Sequence, residues 1–203
     1  LKQLAWASFA IGLLSSKFLA RQKALPAFGH GVRNLHGREA QWVAVKVVDL
    51  FCGESLESEA LREVVIMRRL GKQPHCVALH ESYREGKLLY LVLERCEMTL
   101  LQVLEGAPEL TEDTLVPIIA EMLQALISIH NILVVHRDVK PDNFLISGEK
   151  RTVKLCDFGL SEVLPGRDSK LQGVVGTPVY MSPEMLKPEK HKHDTKTDIW
   201  SLG

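Results

Sequence analysis

The pattern of apolar and polar positions predicts a small sheet with one helix in the first half of the chain. Residues 42–48 (WVAVKVV) are apolar and β-branched and predict a strand, and the continuous apolar run at 88–93 (LLYLVL) predicts another. Between them, the apolar residues of 55–70 recur at helical spacing, and Gly71 is placed to end that helix. The first half is therefore strand-rich.

After about residue 97 the pattern changes to that of a helical region. The apolar pattern predicts one long helix over residues 115–129, whose start is signalled by Thr111 and whose first turn can accommodate Pro117. Further on, residues 144–156 show two apolar runs around a polar turn, as in a hairpin. Together these elements predict an α+β chain with two lobes.

Composition and charge exclude several classes of function. The 25 Lys and Arg residues balance 25 Asp and Glu residues, so bulk charge favours neither nucleic acid nor a membrane surface. The longest uncharged stretch near the start, residues 3–16, is shorter than the roughly 20 apolar residues of a membrane span. The four cysteines have neither zinc-site nor disulfide spacing. We expect no nucleic acid partner, no membrane association and an intracellular, cytoplasmic location; the oligomeric state stays open.

Short motifs carry the chemical information. In chain order they are Lys46 in VAVK, Glu63 on the next helix, HRDVKPDN at 136–143, DFG at 157–159, GTPVYMSPE at 176–184 and DIWSLG at 198–203. Each motif alone is a weak signal, but six in one order at compatible spacing are a strong one. Together they resemble the protein kinase family over residues 28–203, which is most of the chain.

The resemblance implies a fold and a division of the chain. It implies a two-lobed, α+β, protein kinase-like fold, with a small β-rich lobe with one helix at about 28–96 and a mainly helical lobe at about 97–203. Residues 1–27 form an apolar segment that the resemblance leaves unassigned. The sequence stops inside the helix that carries Asp198, which resembles the residue that ties the HRD backbone in place. We therefore expect an incomplete catalytic domain, truncated at the central helix of its second lobe.

Phosphoryl transfer from ATP explains why these residue types are needed. The phosphate oxygens must be neutralised and aligned, which requires cations, groups that hold Mg²⁺, and a carboxylate beside the attacking hydroxyl. By resemblance, Lys46 pairs with the α- and β-phosphates and with Glu63. Asn143 and Asp157 would hold Mg²⁺, and Asp138 would accept the proton of the substrate hydroxyl.

Two further segments resemble the serine/threonine branch of the family. They are Lys140 with Pro141, and Thr177 with Pro178. By resemblance, Lys140 lies near the γ-phosphate and Thr177 bridges Asp138 and Lys140. The resemblance therefore implies a serine/threonine kinase with ATP and Mg²⁺ as cofactors and proteins as substrates.

The motifs also locate a nucleotide pocket. By resemblance, Leu93 lies at the back of the adenine pocket, and Glu94 and Cys96 supply the hinge backbone that bonds the adenine edge. Ala44 and Leu145 would lie above and below the ring as apolar contacts, as in other apolar ligand pockets.

The glycine-rich loop is where the sequence departs from the family pattern. Gly29 matches the end of GxGxxG, whereas the first two glycine positions fall on Ala24 and Pro26. Proline has no N–H to offer a phosphate, and neither residue allows the close backbone approach of glycine. Val32 or Gly31 would lie over the adenine. The alternative interpretation is therefore a non-catalytic nucleotide-binding pseudokinase or a truncated scaffold module.

Control of the site is suggested by Arg137, which precedes the catalytic aspartate of HRD. An arginine there suggests regulation by a phosphate or a carboxylate on the loop 157–184. Gly173 occupies the place where such kinases carry the phosphorylated residue. Ser169 is either a nearby substitute or an exposed loop serine, and the sequence favours neither.

Overall fold

The computed structural model describes residues 43–50, 54–107, 109–187 and 192–203. The predicted binding residues Gly29 and Val32 lie outside the described residues, as does the unassigned segment 1–27. The structure therefore bears on the motifs from Lys46 onward.

Within the described residues, three antiparallel strands form the first sheet. They are β1 (Val43–Asp49), β2 (Leu79–Glu85) and β3 (Leu88–Glu94), in the spatial order β1-β3-β2. The predicted strands at 42–48 and 88–93 correspond to β1 and the central strand β3, so both predictions are confirmed. The pattern did not reveal β2, because its sequence LHESYRE is mostly polar. An edge strand with solvent on one side lacks the apolar run that marks a buried strand.

One helix packs with this sheet. It is α1 (Glu54–Leu70), as the helical spacing predicted. Its apolar stripe is buried, with Val64 and Met67 at 6% and 3% exposure. The helix ends at Gly71, whose φ of 64° is the left-handed conformation that favours glycine after a helix. Glu63 lies on the same buried side at 3% exposure, so the helix carries a carboxylate into the interior.

The second half begins with a long helix. Strand β4 (Met98–Thr99) and helix α2 (Leu100–Glu105) precede α3 (Glu112–His130). Thr111 is the N-cap of α3, as predicted, with its N–H donating to Thr114 Oγ1 at 3.1 Å. The helix therefore begins earlier than predicted, and Pro117 lies in its second turn and not in its first.

The early start of α3 has a physical reason. The acidic side chains of Glu112 and Asp113 suit the positive end of the helix dipole, so they extend the helix back to its cap. Pro117 is exposed there. The carbonyl that Pro117 cannot pair is thus on the solvent side, where water can hydrate it.

Helix α3 is also long and apolar enough to cross a membrane by length and composition. A single such helix is weak support for a membrane span, since the core helices of soluble proteins pass the same test. Within the described residues, one face of α3 is buried, through Met122, Ala125, Leu126 and Ile129.

Short strands and turns carry the motifs of the second half. In chain order the remaining strands and α-helices that the structure describes are β5 (Val134–Val135), β6 (Phe144–Ser147), β7 (Thr152–Leu155), β8 (Glu162–Val163), α4 (Pro183–Leu186) and α5 (Lys196–Leu202). Strands β6 and β7 form the predicted antiparallel hairpin, and β4 pairs with β6. Strand β5 pairs with β8. The mixed composition of sheet and helix confirms the α+β class.

A continuous hydrophobic core joins the two halves. It runs from α1 and the first sheet to the β6-β7 hairpin and α3, and includes Met67, Leu91 and Phe144. Phe158 of the DFG motif is fully buried and meets the ring of His136 edge-on at a centroid distance of 5.4 Å. This core fixes the DFG segment against the HRD segment.

Candidate active site

Three separate elements meet at the ammonium group of Lys46. Its Nζ lies 2.8 and 2.9 Å from the two carboxylate oxygens of Glu63 on α1, and 2.9 Å from Asp157 Oδ1 after β7. The residues come together because β1 pairs with β3 while the buried stripe of α1 faces the same interior. The structure thus brings the predicted lysine, its helix carboxylate and the DFG carboxylate into one cluster.

The electrostatics of this cluster favour a charged lysine. Burial works against the ammonium form of Lys46, but the carboxylates of Glu63 and Asp157 outweigh it and raise the lysine pKa above its ordinary value. Burial also raises the pKa of Glu63, although the Lys46 ammonium opposes that rise. Each carboxylate therefore needs the lysine as its counter-charge, and the lysine holds both in place.

The second cluster surrounds Asp138 of the HRD motif. Thr177 Oγ1 donates to Asp138 Oδ1 at 2.6 Å, and Lys140 Nζ lies 2.9 Å from Asp138 Oδ2. Lys140 also donates to Thr177 Oγ1 at 2.8 Å, and Asn143 Nδ2 donates to Asp138 Oδ2 at 3.0 Å. The predicted bridge of Thr177 between Asp138 and Lys140 is thus present as a contact.

These hydrogen bonds keep Asp138 ionised. Burial alone would raise the pKa of this carboxyl group, but the donors Thr177 and Lys140, together with Asn143, lower it below its ordinary value. An ionised carboxylate is an acceptor on both oxygens. Asp138 can therefore still accept a proton or a hydrogen bond from an approaching hydroxyl.

One of the two residues expected to hold a metal ion, Asn143, has a side-chain oxygen that suits this role. Asn143 is fully buried, and its Oδ1 has no hydrogen-bond partner in the described part of the chain. A buried oxygen without a partner is costly unless something else binds it. Since Asn143 Nδ2 is held by Asp138, the free oxygen is presented in a fixed direction, and a cation is a suitable partner.

The donor set suits Mg²⁺ and not an all-protein metal cage. Among the described residues, no group of three or more His, Cys, Asp or Glu side chains could hold a metal ion. Mg²⁺ commonly takes one or two protein ligands and completes its shell with phosphate and water. Asn143 and Asp157 would supply the protein ligands.

Asp198 on α5 fixes the backbone of the HRD loop. Its buried carboxylate accepts from the N–H groups of His136 and Arg137, both at 2.9 Å. His130 Nε2 lies 2.8 Å from the same carboxylate. Arg137 has a φ of 67°, an uncommon conformation for a residue with a side chain. The carboxylate therefore holds a strained turn immediately before Asp138.

Gly176 lies in a backbone contact at the candidate site for which the sequence analysis gave it no role. Its φ is 114°, and an added Cβ would lie only 2.2 Å from the carbonyl oxygen of Arg137. Only glycine allows this approach of two backbone segments. The contact brings Thr177, the next residue, to Asp138. A glycine directly before Thr177 was the only available signal.

The apolar residues predicted to line the nucleotide pocket, Ala44, Leu93, Cys96 and Leu145, all belong to or pack against the same hydrophobic core. Ala44 of β1 is the register partner of Leu93 on β3, and both Leu93 and Leu145 are buried. The N–H of Glu94 donates to the carbonyl of Ala78 at 2.9 Å, so that donor is already engaged. Cys96 is half-buried, and burial raises the pKa of its thiol to about 11.

Comparison with known families agrees with this geometry. The family profile described as "Protein kinase domain" matches residues 27–203. The chain belongs to the protein kinase family. The family assignment confirms the resemblance inferred from the motifs, and with it the kinase fold of the described elements.

Curated kinases of the serine/threonine branch are among the relatives. Serine/threonine-protein kinase 36 of Pongo abelii is 35% identical over 178 residues, covering 87% of this chain and 13% of the relative. Serine/threonine-protein kinase dst4 of Dictyostelium discoideum is 33% identical over 166 residues, covering 79% of this chain and 33% of the relative. This kinase chain therefore spans a third or less of the length of these two relatives.

Kinases of this family generally use ATP and Mg²⁺ and act on proteins. Those general properties accompany the family assignment.

Proposed function

We propose that this kinase transfers the γ-phosphate of ATP to serine and threonine hydroxyls of proteins, with Asp138 as the base. One observation carries the proposal. The carboxylate of Asp138 is held by Thr177 and Lys140, and the separate cluster of Lys46, Glu63 and Asp157 is assembled in the same molecule. The contacts of Lys46 with Glu63, and of Asp138 with Thr177 and Lys140, support the proposal, because phosphoryl transfer requires such charged groups in fixed positions.

In this proposal Asp138, Lys140 and Thr177 each have a separate role in the transfer step. Asp138 accepts the proton that the substrate hydroxyl loses as its oxygen attacks the γ-phosphorus, while the bond between the γ-phosphorus and the oxygen bridging it to the β-phosphate breaks and ADP leaves. Lys140 places a positive charge beside that carboxylate, where the negative charge of the transferred group accumulates. Thr177 keeps the Asp138 carboxylate in one orientation through its 2.6 Å hydrogen bond.

The other cluster binds and orients the nucleotide. Lys46 donates a hydrogen bond to Glu63, and this contact fixes the position of its ammonium group. Asp157 and the unpartnered Oδ1 of Asn143 would hold Mg²⁺, which, when bound, neutralises phosphate charge. Asp157 would hold the cation with its carboxylate, and Lys46, which contacts both Glu63 and Asp157, would pair with the phosphates.

The proposal is tested with the full-length protein, radiolabelled ATP and a library of serine and threonine peptides. Asp138→Asn keeps the shape of the side chain but removes the base, so we expect a loss of about 10²-fold or more in kcat. Asp142→Asn removes an exposed carboxylate from the same loop and serves as the matched control. A wild-type rate in the Asp138→Asn protein would refute the assignment.

A second candidate function is a nucleotide-binding module without catalysis. The observation that favours it is the sequence of the glycine-rich loop, where Ala24 and Pro26 stand at glycine positions. Binding of a fluorescent ATP analogue, measured with and without Mg²⁺, separates the two candidates. Tight binding together with no phosphate transfer would favour the second function. Transfer that depends on Asp138 would exclude it.

A further inference from the structure

Two backbone hydrogen bonds join the loop after β8 to the segment before α5. The N–H of Leu171 donates to the carbonyl of His193 at 2.8 Å, and the N–H of His193 donates to the carbonyl of Leu171 at 3.1 Å. They form an isolated antiparallel bridge. Beside the bridge, the ammonium of Lys170 pairs with the carboxylate of Asp194. Residues 170–171 and 193–194 are called the loop clasp below.

Both sides of the loop clasp are buried. Leu171 is 8% exposed and His193 is 1% exposed. The side chain of Leu171 packs with Leu164 and Val135 in a small apolar cluster outside the main core. Val135 is the last residue of β5 and immediately precedes His136 of the HRD motif. The clasp therefore holds the loop against the strand that leads into HRD.

The other side of the clasp belongs to the start of α5. Asp194 Oδ1 accepts from the N–H of Lys196 at 2.8 Å, and the carbonyl of Asp194 accepts from the N–H of Thr197 at 3.1 Å. Such bonds satisfy N–H groups that the first turn of a helix leaves unpaired. The same helix carries Asp198, whose carboxylate holds the HRD backbone. The clasp thus fastens the loop to the helix that fixes the turn before Asp138.

The clasp also shortens the free part of the loop that leads to Thr177. Strand β8 ends at Val163, so 13 residues (164–176) separate it from Thr177, whereas only five (172–176) separate Leu171 from Thr177. The entropic cost of holding the ends of a flexible loop rises with three halves of RT times the logarithm of its length. Shortening the free part from 13 to five residues therefore favours the Thr177–Asp138 contact by about fourfold.

We propose that the loop clasp is a positioning element, which fixes Leu171 and so keeps the hydroxyl of Thr177 at the carboxylate of Asp138. The inference rests on the proposed kinase function. The clasp contacts neither substrate nor nucleotide in this scheme. It acts through Thr177, whose hydroxyl donates to Asp138 Oδ1 at 2.6 Å.

The first test places the same flexible insertion on either side of the clasp in the full-length protein. Eight residues of alternating glycine and serine are inserted after Pro165, upstream of the clasp, or after Gly173, between the clasp and Thr177. The downstream insertion extends the free part from five to 13 residues, so we expect kcat in the peptide assay to fall about two- to fourfold. The upstream insertion leaves the free part unchanged, and kcat should stay within about 1.5-fold.

Without a clasp, the two insertions would lengthen one and the same loop by the same amount. Equal effects on kcat, or a larger effect of the upstream insertion, would therefore overturn the proposal.

A second test opens the clasp by substitution. Leu171→Ala removes the buried side chain, and we expect kcat to fall about two- to fourfold, whereas Leu171→Met keeps an apolar side chain of similar volume and should restore the wild-type rate. Val174→Ala shortens an apolar side chain on the same loop that is 52% exposed, and serves as the matched control. In Leu171→Ala the two insertions should each lower kcat by the same factor of about two, since both now extend a loop of 13 residues. Unequal effects in that background would contradict the clasp.

Hydrogen exchange and a titration provide readouts that do not depend on catalysis. The amides of Leu171 and His193 bond to each other's carbonyls, so both should lose protection together in Leu171→Ala and keep it in Val174→Ala. The pKa of Asp138, which the Thr177 hydrogen bond lowers, should rise in Leu171→Ala. Retained protection at His193, or an unchanged Asp138 pKa, would overturn the inference. If wild type transfers no phosphate, the proposed function fails, and these two readouts still decide the role of the clasp.

Discussion

Removal of the Asp198 carboxylate should weaken the contacts that hold the backbone of the HRD loop. Asp198 is 1% exposed, and its two oxygens accept from the N–H groups of His136 and Arg137. Asp198→Ala would leave both of these buried donors without a partner. It would also leave the left-handed turn at Arg137, with its φ of 67°, without the contact that holds it.

The expected magnitude follows from these contacts. An unpaired buried donor costs about 1–3 kcal/mol, so two of them cost about 4 kcal/mol at the centre of that range. Since ~1.4 kcal/mol is a factor of ten in an equilibrium, opening of the loop should become about 10³-fold more frequent. Asp198→Asn keeps one acceptor oxygen, so its effect should be about half as large in free energy.

Hydrogen exchange measured by mass spectrometry can follow this loop in the full-length protein. We expect the peptide that covers residues 134–139 to exchange about 10³-fold faster in Asp198→Ala, and about 10¹- to 10²-fold faster in Asp198→Asn. Glu149→Gln changes an exposed charge in the β6-β7 turn and serves as the control. Exchange in Asp198→Ala equal to that of wild type would refute the reasoning.

Three further outcomes are expected. Gly176→Ala should lower kcat more than tenfold in the peptide assay, because its Cβ would lie 2.2 Å from the Arg137 carbonyl oxygen; a wild-type rate would contradict this. Thr177→Val removes a hydrogen bond that lowers the pKa of Asp138. Titration of the variant should therefore show a higher pKa for Asp138, so that its carboxylate becomes protonated at a higher pH than in wild type. An unchanged pKa would contradict this. Burial raises the pKa of the Cys156 thiol well above its ordinary value, so a thiol reagent at pH 8 should label it at least 100-fold more slowly in the native than in the denatured protein; rapid native labelling would contradict this.

Much of the local structure could be predicted from the sequence, because each element carries its own pattern. The central strand β3, the helix α1 with Gly71 after it, and the β6-β7 hairpin all follow from apolar spacing and turn residues. Strand β2 could not be predicted in this way. Its polar sequence becomes a strand because the backbone of β3 offers it hydrogen bonds, and that partner lies outside its own sequence.

The candidate site, like the fold, could be predicted from the sequence only in part. The motifs determined which residue types are present and in what order, and these were enough to indicate phosphoryl transfer and to nominate Lys46, Asp138 and Asp157. Motif identity is a local property, since each motif is contiguous in the sequence. Whether Lys46 meets Glu63 and Asp157 is decided by the packing of β1, α1 and the end of β7.

The contacts that only the tertiary structure revealed all join distant segments. Glu162 reaches Arg62 across 100 residues of sequence. Gly176 meets the carbonyl of Arg137, on another loop. No periodicity or spacing indicates such pairs, because a side chain's partner across the fold depends on how the elements pack and not on its neighbours in sequence. The sequence alone therefore determined which residue types the candidate site contains, and the packing of the elements decided which of their charges meet and how firmly they are held.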